Sequence, residues 1–116
     1  MREMAELSKC EERQFTLCPK FEQTFSILGK RWNGLIIDVL LEDGTQRFGE
    51  LATKIPNLSD RVLAERLKEL ELNKIVERLE DKENSKKVEY RLTAKGLDLK
   101  EAMGEIQKWS EKWLTL

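Results

Sequence analysis

Between Leu72 and Thr93 the hydrophobic period of this chain changes twice, and that double change limits the folds open to it. Up to Leu72, apolar residues recur at three- and four-residue spacing, the period of a helix. Ile75-Val76-Glu77-Arg78-Leu79 and Val88-Glu89-Tyr90-Arg91-Leu92 then alternate and are rich in β-branched residues, the pattern of paired strands. Asp81 to Lys87, rich in Asn, Ser and Lys, joins them as a long charged hairpin tip. Thr93 restores the helical period as the cap of a last helix running to about Leu114. Its apolar positions are Leu99, Ala102, Met103, Ile106, Trp109 and Trp113.

The segment before the hairpin divides at its turn residues. Residues 1–14 are polar and carry seven charges; they read as an N-terminal arm, with one domain over 15–116. Pro19 suits the first position of a helix, which makes Cys18 its N-cap. Phe21, Phe25 and Leu28 follow at helical spacing up to Gly29. A second helix is expected from about Trp32 to Leu41, with Leu35, Ile36, Val39 and Leu40 inward. Glu42-Asp43-Gly44 is a turn. Phe48 to Ile55 reads as a short third helix, with Phe48, Leu51, Ala52 and Ile55 inward, and Pro56-Asn57 ends it. Ser59 caps a fourth helix from Asp60 to Leu72. Leu58 and Leu63 stand at the positions of a hydrophobic staple, and Leu63, Leu67 and Leu70 form its buried stripe. This order of elements is that of a winged helix-turn-helix: mainly α with a small β-hairpin wing.

Composition removes several kinds of chemistry. With 116 residues the chain is expected to form one domain. It contains no histidine and two cysteines. That excludes Ser-His and Cys-His catalytic pairs and a four-cysteine zinc site. Neither an enzyme nor a metal or other cofactor is expected. No apolar run reaches the 18 or so residues of a membrane span and no signal peptide is legible, so the expected location is the cytoplasm. The net charge is −1, so nucleic-acid binding must rest on local patches.

In a helix-turn-helix the second helix enters the major groove. With Leu63, Leu67 and Leu70 inward, Arg61, Glu65 and Lys68 fall on the opposite side. Arg61 can fork onto guanine and Glu65 can accept from cytosine N4, while Ser59 can reach a phosphate or a base. Arg66, nearer the core edge, fits a bracing role. The plainer reading of this helix is a solvated face of i,i+4 pairs, since residues 59–72 hold three positive and four negative charges. The hairpin tips the balance: residues 82–95 hold Lys82, Lys86, Lys87, Arg91 and Lys95 against Glu83 and Glu89. A basic tip can lie along phosphates or enter the minor groove. Arg47 is a further phosphate candidate.

Such a domain needs a twin to grip two half-sites one DNA turn apart. Met103, Ile106, Trp109 and Trp113 offer a wide apolar seam for a homodimer, which Phe21 can join. The plainer reading packs both tryptophans on the domain's own core. A thiol at a helix start, as at Cys18, is biased towards thiolate by the free N–H groups and the helix dipole. It is then open to oxidation. Cys10 can resolve it within a chain, or either cysteine can pair across a dimer. The plainer alternative is a buried, inert Cys18.

Cys18-Pro19, Phe25-x-x-Leu28-Gly29-Lys30-Arg31-Trp32, Arg47-Phe48-Gly49-Glu50-Leu51, Ser59-Asp60-Arg61-Val62-Leu63, Arg66-Leu67-Lys68-Glu69-Leu70 and Val88-Glu89-Tyr90-x-Leu92-Thr93-x-x-Gly96 occur in order. Together they resemble the HxlR-type regulators, a branch of the MarR-like winged-helix proteins, over roughly residues 18–113. The resemblance implies a homodimeric bacterial DNA-binding regulator, usually a repressor, that dimerises through its N- and C-terminal helices. It implies that the helix from Ser59 is the recognition helix and residues 80–88 the wing. It also places Cys18 at a position that senses oxidants, quinones and other electrophiles in several members, by intersubunit disulfide formation or alkylation. Ser85-Lys86-Lys87 stands where many members carry a Pro-Pro-Arg-like wing tip. Lysines there bind phosphate as point charges rather than forks.

The function this predicts is a transcriptional regulator, a repressor, that binds a double-stranded DNA operator and senses oxidants or electrophiles through Cys18, with Cys10 as possible resolving thiol. Two alternatives stand beside it. In one, the signal is a small apolar ligand near Trp32, Trp109 and Trp113. In the other, the chain is an interaction module that does not bind DNA.

Overall fold

The computed structural model describes residues 17–84 and 87–116. Cys10 and Lys86 therefore lie outside the described residues, as does the expected boundary at residue 14. The chain divides into two compact units between Arg31 and Trp32.

In the first unit, α1 spans Pro19–Leu28, with Cys18 as extended N-cap and Pro19 in the first turn. The helix closes with the Gly29 N–H on Phe25 O at 2.9 Å and the Lys30 N–H on Ile27 O at 3.4 Å. Phe21 and Phe25, one turn apart, meet edge to face with ring centroids 4.9 Å apart. Both rings are exposed, at 63% and 56%, so the apolar residues of this helix form an open surface.

The second unit begins with α2, Asn33–Asp43. Trp32 precedes it in the left-handed region, at φ 86°, where a bulky side chain is strained. The buried residues of α2 are Asn33, Ile36, Ile37 and Leu40, a clean i, i+3, i+4, i+7 stripe. The expected stripe through Leu35 and Val39 is thus rotated. Leu35 is 52% exposed and Ile37 is fully buried, because the stripe starts from a polar residue, Asn33. Its Nδ2 donates to Glu69 Oε1 at 3.3 Å.

β1 (Gln46–Arg47), α3 (Phe48–Lys54) and α4 (Asp60–Leu72) follow. Leu51, Ile55, Leu58, Leu63, Leu67 and Leu70 join the α2 residues in the core. Ser59 Oγ accepts from the Val62 N–H at 3.2 Å, the N-cap expected. The far end of α4 closes by a two-bond motif. Lys74, at φ 63°, donates its N–H to Glu71 O, and Ile75 donates to Leu70 O, each at 3.0 Å. This satisfies the last carbonyls and sets Leu70 against Ile75.

β2 (Val76–Glu80) and β3 (Val88–Leu92) form the expected hairpin, in the register Val76↔Leu92 to Glu80↔Val88. β1 adds a third strand that periodicity could not show. It pairs antiparallel with β3 through Gln46↔Tyr90 and Arg47↔Glu89, giving the order β1-β3-β2.

The long last helix expected from Thr93 is divided. α5 spans Ala94–Leu97 and α6 spans Lys100–Trp113. At the join the Leu99 N–H bonds Gly96 O, only three residues back, a tighter turn than an α-helix makes. Thr93 explains why this turn is fixed. Its N–H donates to Ile75 O at 3.0 Å, its hydroxyl donates to Lys74 O at 2.5 Å, and its Oγ1 caps the Gly96 N–H at 3.2 Å. Side chain and backbone together pin the start of α5 to the exit of α4. None of the residues of α6 is buried. A mainly helical body with a small antiparallel sheet, a helix-turn-helix and a hairpin after it is a winged helix-turn-helix.

Candidate nucleic-acid interface

Burial of Leu63, Leu67 and Leu70 turns the opposite side of α4 to solvent. Ser59, Arg61, Glu65 and Lys68 are all exposed, so the helix carries its expected reading residues on one accessible side. They do not stand independently. Arg61 Nη1 lies 2.9 Å from Glu65 Oε2, and Glu65 Oε1 lies 3.9 Å from Arg66 Nη2. The i,i+4 pairing of the plainer reading is therefore present. At 77% side-chain exposure for Arg61, it is a surface pair worth about 0–1 kcal/mol, which a base or phosphate contact can replace. Lys68 makes no ion pair among the described residues.

Arg66 has the bracing place expected of it. Its Nη1 lies 3.2 Å from Glu69 Oε1, the oxygen that also accepts from Asn33 Nδ2. Arg66 and Glu69 side chains are only 23% and 24% exposed. A polar node thus fixes the rotation of α4 on the start of α2, and with it the direction in which Arg61 and Lys68 point.

On the wing, Lys82 and Lys87 are exposed. The tip is organised by its own polar groups: Asp81 Oδ1 accepts from the Glu83 N–H at 2.9 Å, and the Lys87 N–H donates to Asn84 O at 2.9 Å. Arg91 is not available in the same way, because its Nε is 3.0 Å from Glu77 Oε1 across the hairpin. Arg47, exposed at the start of α3, donates its backbone N–H to Glu50 Oε1 at 2.7 Å. Its guanidinium has no ion-pair partner among the described residues.

Sequence reading missed two wing residues. Arg78 and Tyr90 are directly opposite on β2 and β3. The Tyr90 hydroxyl, then Glu80 at 3.2 Å, raise the Arg78 pKa further above its ordinary value. Only the strand register brings them together. Both line a groove between the wing and α3.

The remaining candidate residues are the thiol at the start of α1, in the first unit, and the apolar face of α6, in the second. Cys18 is half-buried at the head of α1 and is not a free thiol in this structure. On α6, Ile106, Trp109 and Trp113 are exposed at 54%, 57% and 63%, and Met103 is half-buried. Lys112 Nζ stands 5.3 Å from the Trp113 ring centroid. The tryptophans do not pack into the domain core, contrary to the plainer reading. Neither of the two grooves described on the second unit is lined by a tryptophan. Among the described residues no acidic or cysteine cluster could hold a metal ion. No described helix is long and apolar enough to cross a membrane.

Comparison with known proteins agrees with this geometry. The family model for the HxlR-like helix-turn-helix matches residues 27–116. The HTH-type transcriptional regulator YodB of Bacillus subtilis (strain 168) is 54% identical over 98 residues, 84% of this chain and 87% of that protein. The solved reduced form of YodB from B. subtilis superposes with a TM-score of 0.75 at 52% identity, covering 85% of this chain and 96% of that one. Quinone-bound YodB superposes with a TM-score of 0.73 at 52% identity, covering 84% and 100%. The chain belongs to the HxlR-like helix-turn-helix family, whose members among its relatives are transcriptional regulators.

Proposed function

We propose that this chain is a homodimeric transcriptional repressor of the cytoplasm. It binds a double-stranded operator and changes that binding when an oxidant or electrophile reacts at Cys18. One observation carries the thiol assignment: Cys18 is the N-cap residue of α1, ahead of Pro19. A helix start is one of the environments in which a cysteine sulfur is reactive. That a protein 54% identical to this one has been solved with a quinone bound supports electrophiles as the signal class.

The chemistry is addition or oxidation at sulfur. With a quinone, the thiolate forms a C–S bond to the ring and the ring takes up a proton to become a substituted hydroquinone. With an azo oxidant such as diamide, two thiols lose two electrons and two protons, which reduce the N=N bond to a hydrazine. Cys10 and the partner subunit's Cys18 are the two candidates for the second thiol. Either change alters the start of α1, whose exposed Phe21 and Phe25 suit a dimer contact, as the exposed Trp109 and Trp113 of α6 do in their own unit. Two half-sites on DNA fix the spacing of the two recognition helices, so a small shift at the seam alters affinity.

DNA contact is assigned to Ser59, Arg61, Glu65 and Lys68 on α4, Lys82, Lys86 and Lys87 on the wing, and Arg47. The test is fluorescence anisotropy with the DNA upstream of the chain's own gene, comparing reduced and diamide-treated protein with the same pair for Cys18→Ser. The expected result is salt-dependent binding by both proteins and an oxidant response in the wild type alone. An unchanged response in Cys18→Ser removes the thiol mechanism. Absence of salt-dependent binding to any genomic fragment removes the DNA role.

A further inference from the structure

Five polar side chains run in a row from the core to the exposed side of α4. Asn33, the first residue of α2, is fully buried, and its Nδ2 donates to Glu69 Oε1 at 3.3 Å. Arg66 Nη1 donates to the same oxygen at 3.2 Å. Arg66 Nη2 pairs with Glu65 Oε1 at 3.9 Å. The other oxygen of Glu65 takes Arg61 Nη1 at 2.9 Å. Each member is tied to the next, and the row ends at a guanidinium 77% exposed. All of these residues belong to the second unit. Lys68 is exposed on the same side of the helix and makes no ion pair among the described residues.

An exposed ion pair standing alone orders little, because fixing two long side chains costs nearly what their attraction returns. The Arg61–Glu65 pair does not stand alone. Arg66 draws on the second oxygen of Glu65, Glu69 holds Arg66, and a buried amide holds Glu69. Bonds in such a network reinforce one another. Part of the cost of ordering Arg61 therefore falls in the free protein rather than on binding. Glu65 engages Nη1, and a guanidinium has several N–H donors, so a fork remains for a guanine edge. A base edge that meets the held guanidinium keeps the pair, whereas any other contact must displace it.

We infer that Glu69 is a positioning residue for base recognition: through Arg66 and Glu65 it sets the pose of Arg61, so that a side chain anchored on the core governs the preference at one base. The role of Arg61 at a base rests on the DNA-binding reading above; the ordering of its side chain does not.

The experiment uses the full chain and two variants that break the row at different links. Glu69→Gln keeps the shape and an oxygen for Asn33 but removes the charge that holds Arg66. Arg66→Met keeps the stem and leaves the Asn33–Glu69 bond. Arg66 Nε is buried with no hydrogen-bond partner among the described residues, so Arg66→Met also removes an unpaired donor and is expected to fold. Should Glu69→Gln fail to fold, Arg66→Met decides alone. Without DNA, the heteronuclear NOE of the Arg61 Nε–Hε group, assigned by its absence in Arg61→Ala, is expected to fall in both variants. With DNA, anisotropy gives the ratio of affinities for the upstream duplex and a random-sequence duplex, in which the change of net charge cancels. That ratio is expected to fall about two- to fivefold in each variant. In an Arg61→Ala background neither variant is expected to lower it further, whereas in Lys68→Ala the full fall persists. A role confined to stability would act alike in both backgrounds. An unchanged NOE in both variants overturns the inference. So does a ratio that holds in both, or one that falls equally with and without Arg61. If no DNA binds specifically, the regulator reading fails, while the NOE still decides whether the row positions Arg61.

Discussion

Glu65 holds Arg61 across one turn of α4, Oε2 to Nη1 at 2.9 Å, so the two residues proposed to read base edges are bonded to each other. DNA must compete with that pair. Replacing Glu65 with Gln removes a negative charge from the interface and releases the guanidinium. Glu65→Gln is expected to bind non-cognate DNA several-fold more tightly, which anisotropy with random-sequence duplex will show. Arg61→Ala is expected to cost about 1–3 kcal/mol on the cognate site and to relax base preference at one position. Equal cognate affinity in Arg61→Ala would place that side chain outside the interface.

Glu69 is expected to matter for stability more than for contact. Its Oε1 accepts from both Asn33 Nδ2 and Arg66 Nη1. Glu69→Ala deprives a fully buried amide and a mostly buried guanidinium of that acceptor, an effect of about 1–3 kcal/mol. Urea unfolding followed by circular dichroism measures it. A midpoint equal to wild type would show that the node adds nothing to the fold.

Gly96 is a second stability test, with a steric cause. A Cβ built there collides with Ile75 O and stands 2.9 Å from Leu92 Cδ2 and 3.2 Å from Ile75 Cγ2. The carbonyl is held in place by the Thr93 N–H and cannot retreat cheaply. Gly96→Ala is expected to destabilise by about 1–3 kcal/mol or more, read as a fall in thermal midpoint. Gly104→Ala is the control. Nothing lies within 4 Å of a Cβ at that position, and the change favours helix, so its midpoint is expected to hold or rise.

The α6 face predicts self-association. Ile106, Trp109 and Trp113 recur at three- and four-residue spacing and stay exposed. Apolar faces of that kind on small domains mark contact sites. Trp109→Arg is expected to shift sedimentation velocity from dimer to monomer while leaving the far-UV spectrum intact. A wild-type chain that sediments as a monomer at micromolar concentration would remove the seam.

Local chemistry was legible in the sequence and long-range geometry was not. Ser59 and Thr93 announce their helices because a cap acts within three residues, and the hairpin shows itself by alternation. The stripe of α2 escaped because it begins at Asn33, a polar residue that no hydrophobic pattern ranks as core. β1 escaped because two residues have no period, and what makes Gln46 a strand residue is Tyr90, far along the chain. The division of the last helix escaped because its cause is the approach of Gly96 to Ile75. At the candidate site, the exposure of Arg61, Glu65 and Lys68 followed from the leucine stripe, whereas the pairing of Arg78 with Tyr90 needed the register of β2 on β3.

Strand β1 has a consequence for how members of such a family can diverge. The base of the hairpin is secured on one side by Gln46↔Tyr90 and on the other by the five-residue ladder from Val76 to Glu80, while the tip carries local bonds from the Glu83 N–H to Asp81 Oδ1 and from the Lys87 N–H to Asn84 O. With the base held by these ladders, insertions or swaps in the tip are expected to leave α4 where it is. The hairpin is a socket with an exchangeable head, and new operator preferences can be grafted there without rebuilding the domain that carries it.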